Sequence, residues 1–346
     1  MRVIDYSLLD KRTWNKDVLN YVALIHEYKG RQQLYLKQKP EVLDKLVVIA
    51  KRQSTEASNE IEGIRVNDAR LKQLMLDTTT PKTRSEEEIL GYRNVLSLIH
   101  ENYDSIPLTS NYILQLHKEM CRFTNSNDGG KFKASSNVIE DTTTKRVIFK
   151  PVDPYLVPIL IDKLCEEYNF AINQRNIDPL VVIPIFIHDF LCIHPFRDGN
   201  GRMSRLLTTL LLYKSGYYVG KYVSLEKKIQ ITKEDYYVAL EKSSVNWHKN
   251  ENDDTPFIQY LLGTFIAAYR DFEDRVSLVG EKLSAKELVL RAVNMKIGKF
   301  TKSDIMELCP EIGDGSVENM LKKLCEEHVI EKHGGGRSTY YTRIDV

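Results

Sequence analysis

Apolar residues recur at three- and four-residue spacing through Leu43–Gly63, Arg84–Asn102, Asn111–Arg122 and Tyr155–Arg175. Such a period lines one face of a helix, so the chain is predicted to be mainly α-helical. Thr109-Ser110-Asn111 reads as an N-terminal cap ahead of Tyr112. The run Leu206–Leu212 is apolar on nearly every side and predicts a buried helix. Residues 78–81, 125–130 and 250–256 are loops by composition. One stretch breaks the helical habit: Ser136–Glu140 and Lys145–Phe149 flank a turn-like Asp141–Thr144, which predicts a β-hairpin.

Beyond residue 280 the pattern changes. Ala285–Asn294, Thr301–Leu308 (with Thr301 as cap) and Ser316–His328 read as helices. Val329–Lys332 and Ser338–Thr342 read as strands joined through the glycines of His333–Arg337. Three helices and a glycine-tipped hairpin make the pattern of a winged helix-turn-helix, a shape often used on DNA. Acids and bases nearly balance over 281–346, however, so DNA binding is disfavoured against protein docking or plain packing.

Composition narrows the class. The chain of 346 residues carries a formal net charge of +1, which gives no global attraction to nucleic acid or to an anionic membrane. The first residues, Met1–Tyr6, lack the apolar stretch of a secretory signal, and runs such as Leu180–Ile187 are too short to span a bilayer. Five scattered cysteines suit reduced thiols, and a cytoplasmic location without membrane contact is expected. Cys309, Cys325, His328 and His333 resemble a zinc set, but their wide spacing favours core cysteines.

The chemistry concentrates in Ile193–Arg205. Gly199-Asn200-Gly201 opens onto a helix, whose first N–H groups and positive dipole end suit an anion. Asp198 beside such a site repels phosphate unless a divalent cation lies between them. Arg202 and Arg205 are three apart, share one helix face and can clamp phosphate oxygens. His194 is the one group here that is largely neutral and able to take a proton near pH 7. His188 reads as a packing histidine, Phe196 as an anchor for the loop, and Pro195 as a stiffener.

These residues reproduce the pattern His-x-Phe-x-Asp/Glu-Gly-Asn-Gly-Arg-x-x-Arg, and over roughly residues 40–275 the chain resembles the Fic family. The resemblance implies a helical-bundle core with a β-hairpin flap and transfer of AMP from ATP to a hydroxyl of a target protein. It makes His194 the base and Asp198 the Mg²⁺ ligand. It places ATP on Gly199, Asn200, Gly201, Arg202 and Arg205. It casts Asn137, Val138, Ile139, Val147 and Ile148 as a flap that docks the target by strand addition. Two departures stand at the flap: Lys133 replaces an expected Arg, and Lys150–Pro154 is a looser proline pair. Ser58-Asn59-Glu60-Ile61-Glu62-Gly63 resembles the inhibitory helix of many Fic proteins, so Glu62 is expected to pair with Arg205 with help from Ser58 and Gly63. The expected organisation is an N-terminal helical region over 1–105 (inhibitory helix at about 45–63), a catalytic core over 106–275 and the winged-helix-like unit over 281–346. Self-modification and homodimer formation are further expectations. Two other readings stay open: removal of AMP, or transfer of another phosphate-containing group, at the same site, and a nucleotide-sensing DNA-binding regulator.

Overall fold

The computed structural model describes residues 2–38, 40–76, 79–124, 126–140, 144–174, 177–278, 284–296, 298–309 and 312–344. Outside them fall the predicted hairpin turn at Asp141–Thr143, loop residues Thr78 and Asn125, the helix end Arg175 and the first residues of the C-terminal unit.

The chain is mainly helical. It begins with α1 (Lys16–Gln38), α2 (Pro40–Ile61), α3 (Asp68–Met75), α4 (Arg84–Asn102) and α5 (Ser110–Met120). A two-stranded hairpin follows, β1 (Ile139–Glu140) against β2 (Val147–Phe149). Then come α6 (Val157–Asn173), α7 (Pro179–Ile193) and α8 (Asn200–Lys214). Three shorter helices, α9 (Val219–Tyr222), α10 (Leu225–Ile231) and α11 (Lys233–Ser244), lead into α12 (Thr255–Leu278). The last unit has α13 (Ala285–Asn294), α14 (Lys302–Leu308), α15 (Asp314–Glu326), β3 (Ile330–His333) and β4 (Tyr340–Arg343).

The cause of each main helix is local. Thr83, Thr109 and Thr301 cap α4, α5 and α14 by accepting backbone N–H bonds, satisfying donors that a helix start leaves open. α7 runs Leu-Val-Val-Ile-Pro-Ile-Phe-Ile-His-Asp-Phe with every one of those side chains buried, and it packs on α8, α6 and α12. A helix apolar all round belongs at the centre of a core. One apolar core runs from Ile4 to Val276, and a separate one gathers Leu288 to Tyr341. Cys309 lies in the second, its Sγ 3.7 Å from the Leu288 carbonyl.

One element differs from the expectation. The predicted hairpin strands shrink to two and three residues, with an irregular register between Ile139 and Glu140. A lone pair of strands gains little from its ladder, so its apolar residues answer to the cavity beneath them instead. The C-terminal unit has the predicted order of helices and strands, and Phe300 adds a bridge to Tyr341. α1 falls within the expected N-terminal helical region. Its buried residues Val18, Ile25, Tyr28 and Gln32 share one face, and the helix packs on α12.

Candidate active site

α7 ends at His194, which takes the left-handed conformation (φ 54°, ψ 62°) while its N–H still bonds Phe190 O at 2.9 Å. A non-glycine residue held there is strained, which is common where geometry serves chemistry. Nδ1 lies 3.2 Å from the Leu191 carbonyl, so Nδ1 carries the proton and Nε2 is left as the free base. Burial pushes the imidazole down to about 4, so it is neutral at ordinary pH.

The loop after His194 is built around Phe196. Its ring is buried and stacks on His117 at 3.7 Å and 8°. Asn200 clips both sides of the Phe196 peptide, accepting from its N–H at 2.9 Å and donating to its carbonyl at 2.8 Å. His117 accepts from Gly130 N–H through Nδ1 and so donates through Nε2 to Asp198 O at 3.1 Å. Gly199 has φ +83°, and a Cβ there would stand 2.6 Å from Met120 Cε. Only glycine closes this turn.

At the start of α8 the expected anion site meets an anion from the protein itself. The Glu62 carboxylate lies so close to Gly201 that any Cβ at 201 would strike its Oε1. The same oxygen accepts from Arg205 Nη2 at 2.8 Å, while Ser58 takes Arg205 Nε on its hydroxyl (2.8 Å) and Nη2 on its carbonyl (2.9 Å). Burial opposes the Arg205 charge, but the Glu62 carboxylate outweighs it and raises its pKa. Ile61 ends α2, and Gly63 (φ +82°) turns the chain away, as a left-handed residue after a helix does.

Arg202 is held on the other side. Its Nη1 pairs with Glu88 of α4 at 2.9 Å, Glu88 in turn with Arg84 at 2.8 Å, and Arg202 Nη2 stands 3.5 Å from Asp198. Asp198 is 68% exposed and accepts the Gly199 N–H at 2.6 Å. Two cavities flank the loop. One, of 230 Å³, is lined by Glu62, His194, Arg205, Tyr236, Tyr237 and the flap residues Ile139, Ile148 and Phe149. The other, of 680 Å³, is lined by Arg84, Glu88, His117, Asp198 and Arg202.

The structure therefore brings Ser58, Glu62, His194, Gly201 and Arg205 together, with Ile139 and Ile148 above them. Other expected roles meet a different geometry. The Asn200 amide is occupied by Phe196, and the Gly199 N–H by Asp198. Asn137 is held by Lys133 Nζ at 2.9 Å, and Val138 and Val147 face solvent. Sequence reasoning did not single out Glu88, His117 or Tyr236 as site residues.

Residues 107–212 match the model of the Fic/DOC family, and residues 289–344 match that of the C-terminal domain of DIP2311-like transcriptional regulators. The first match spans His194, the glycine loop and both arginines. Over residues 107–212 the chain is thus similar to Fic domains. Similar proteins include the protein adenylyltransferase fic-1 of Caenorhabditis elegans, 25% identical over 217 residues (59% of this chain, 38% of that one). A probable protein adenylyltransferase of Aquifex aeolicus is 37% identical over 86 residues (25% of this chain, 26% of that one). The chain thus spans well under half the length of either relative. In fold it resembles a Fic family protein from Desulfovibrio desulfuricans, with TM-score 0.62 at 23% identity over 96% of this chain and 97% of that one. It also resembles a Fic domain containing signaling protein from Bacteroides thetaiotaomicron, with TM-score 0.63 at 22% identity over 75% and 100% of the two chains.

Proposed function

We propose that this Fic chain transfers AMP from ATP to a hydroxyl of a target protein and that Glu62 holds it silent. The observation that carries this reading is the position of the Glu62 carboxylate, against the first turn of α8 and on Arg205. A carboxylate at that spot stands where a phosphate would otherwise take the helix start and the guanidinium. ATP then binds only with its terminal phosphate displaced.

In the reaction the target's hydroxyl oxygen attacks the α-phosphorus, and the bond to the pyrophosphate oxygen breaks. His194 Nε2 takes the hydroxyl proton, which its neutral state allows. Arg205, once Glu62 withdraws, and the N–H groups of Gly201 and Arg202 bind phosphate oxygens. Asn200 keeps the loop in shape through Phe196. The apolar and tyrosine-lined cavity of 230 Å³ suits the nucleoside, and the flap above it suits an extended target segment. Asp198 fits Mg²⁺: its exposed carboxylate stands beside the loop, and a magnesium ion uses one or two carboxylates with substrate phosphates. The bound ion would neutralise phosphate charge. A target protein is the implied partner, and the C-terminal unit is proposed to dock protein rather than DNA.

Glu62 is one-third exposed and shares its cavity with His194, which supports a second reading: the carboxylate activates water to remove AMP from a modified protein. One experiment separates the two. Glu62→Gly, wild type and His194→Ala are each incubated with Mg²⁺ and ATP labelled on the α- or the γ-phosphate. Protein labelling from the α-label alone, absent in His194→Ala and at least about tenfold stronger in Glu62→Gly, is expected; tenfold corresponds to about 1.4 kcal/mol. Equal labelling by wild type and Glu62→Gly would remove the inhibitory role. Loss of AMP from a modified lysate with wild type alone would favour removal.

A further inference from the structure

Behind the smaller cavity lies a group of side chains that the proposed reaction does not use. Cys192 lines that cavity, and its Sγ is 3.4 Å from Nε2 of His188, one turn earlier on α7. His188 Nδ1 is 2.9 Å from Asp254 Oδ1, which also accepts from Asn252. His188 Nε2 is 3.1 Å from Ser244 Oγ, whose own hydrogen goes to Leu240 O at 2.8 Å. Asp254 accepts at Nδ1, and Nε2 faces both the Cys192 sulfur and the Ser244 hydroxyl, whose Oγ is also 3.6 Å from Cys192 Sγ. The Asp254 carboxylate and the Cys192 sulfur thus flank the two nitrogens of a fully buried ring.

We propose that Cys192 is a nucleophilic thiolate, paired with His188 and Asp254, that takes small electrophiles from the cavity, hydrogen peroxide in particular. The Cys192 sulfur attacks one peroxide oxygen; the S–O bond forms as the O–O bond breaks. Sulfur is oxidised by two electrons to the sulfenic acid, and the departing hydroxide takes the His188 proton and leaves as water.

The surroundings distinguish this thiol from the others. Burial and the carboxylates of Asp162 and Glu166 push Cys165 up to about 12, and burial pushes Cys121 up to about 11. Around Cys192, burial works against charge on His188, but the Cys192 sulfur and Asp254 outweigh it and hold the imidazolium up to about 10. The other groups facing this pair are Glu62, His194, Arg205, Tyr236, Tyr237 and Glu241 across the cavity, Arg12 beyond Asp254, and the neighbouring Asp189 with Arg2. The negative end of α7 opposes a thiolate, but it is a partial charge and the imidazolium is a full one in direct contact.

The test uses the full folded chain, iodoacetamide as probe, and peptide mass spectrometry to follow each cysteine from pH 5.5 to 9. A parallel series treats the chain with hydrogen peroxide and traps sulfenic acid with dimedone. Cys192 should be alkylated at least about tenfold faster than Cys165, which is buried to the same degree, with a rate that holds down to pH 6, and should be the dimedone-labelled site. His188→Gln should abolish that advantage. If His188→Gln unfolds, which a reactive Cys165 would reveal, Ser244→Ala serves in its place: it leaves the Cys192–His188–Asp254 contacts and should retain the fast rate. A Cys192 no faster than Cys165, a rate that falls tenfold per unit below pH 8.5, or a slow Ser244→Ala would overturn the proposal.

Discussion

Arg202 and Arg205 are both buried on α8, and each meets a carboxylate from a distant part of the chain. Their partners differ in how readily they leave. Glu62 lies just past the last turn of α2 and is 33% exposed, whereas Glu88 is 10% exposed and braced by Arg84. Glu88 is therefore the more firmly held partner, and under the proposed function Glu62 is the one that must withdraw. Glu88→Gln in the Glu62→Gly background leaves the Arg202 guanidinium with a neutral partner inside the protein, and breaking a buried pair costs about 3–5 kcal/mol. Labelling is expected to fall at least tenfold and the melting temperature to drop; unchanged labelling would show that Arg202 is aimed by something else. His194 makes a separate forecast. With its imidazole pushed to about 4, the neutral base persists as pH falls, and the neutral fraction rises with pH. The rate of the Glu62→Gly variant should therefore climb through pH 4–5 and stay flat to 7, whereas a limb centred near 6.5 would mean that the base is solvated. Neither the Glu88 pair nor the His117 clip was legible in the chain, because one polar residue on an amphipathic helix looks the same whether it meets water or a buried guanidinium. The loop glycines and arginines were legible because several unusual requirements coincide within a dozen positions.

Helices came through at the scale of elements because a 3.6-residue period repeated over several turns is hard to produce otherwise, and the capping threonines 109 and 301 marked their starts. The hairpin did not come through at its true length, since Ile139, Ile148 and Phe149 are apolar for the cavity they cover rather than for a ladder. What holds this flap to the loop after α7 is Lys133. Its N–H bonds Pro195 O at 2.8 Å, and its Nζ bridges Asn137 Oδ1 (2.9 Å) and Ile193 O (3.3 Å). Burial pulls the ammonium down to about 8. Lys133→Met keeps the stem and the backbone bond but frees Asn137. In the Glu62→Gly background it should raise KM for the protein target several-fold while leaving ATP affinity nearly unchanged; equal losses for both substrates would place Lys133 in the nucleotide site instead.

Over the whole molecule, buried histidines set how stability varies with pH. Burial lowers His100 to about 3 and His117 and His194 to about 4, against about 6.5 for an unfolded histidine. Between those values the unfolded chain binds more protons than the folded one, so stability rises with pH across this window and is lost as pH falls from 6.5 toward 4. His188 has the opposite sign. Its folded value of about 10 makes a contribution that is full below 6.5 and disappears as pH rises toward 10. Cys165, raised to about 12, adds to the alkaline loss above pH 9, while Lys133, lowered to about 8, offsets part of it between 8 and 10.5. The melting temperature should accordingly peak near neutral pH and fall more steeply on the acid side, where three histidines act together. His100 sits on α4, its Nε2 3.2 Å from the Tyr213 hydroxyl and clear of the loop chemistry, so it isolates one contribution. His100→Gln retains a polar partner for Tyr213 but has nothing to protonate. Its melting temperature should decline less between pH 6.5 and 4.5 than that of wild type. Parallel curves would mean that His100 titrates alike in both states, and the acid limb would then belong to His117 and His194, on either side of the glycine loop.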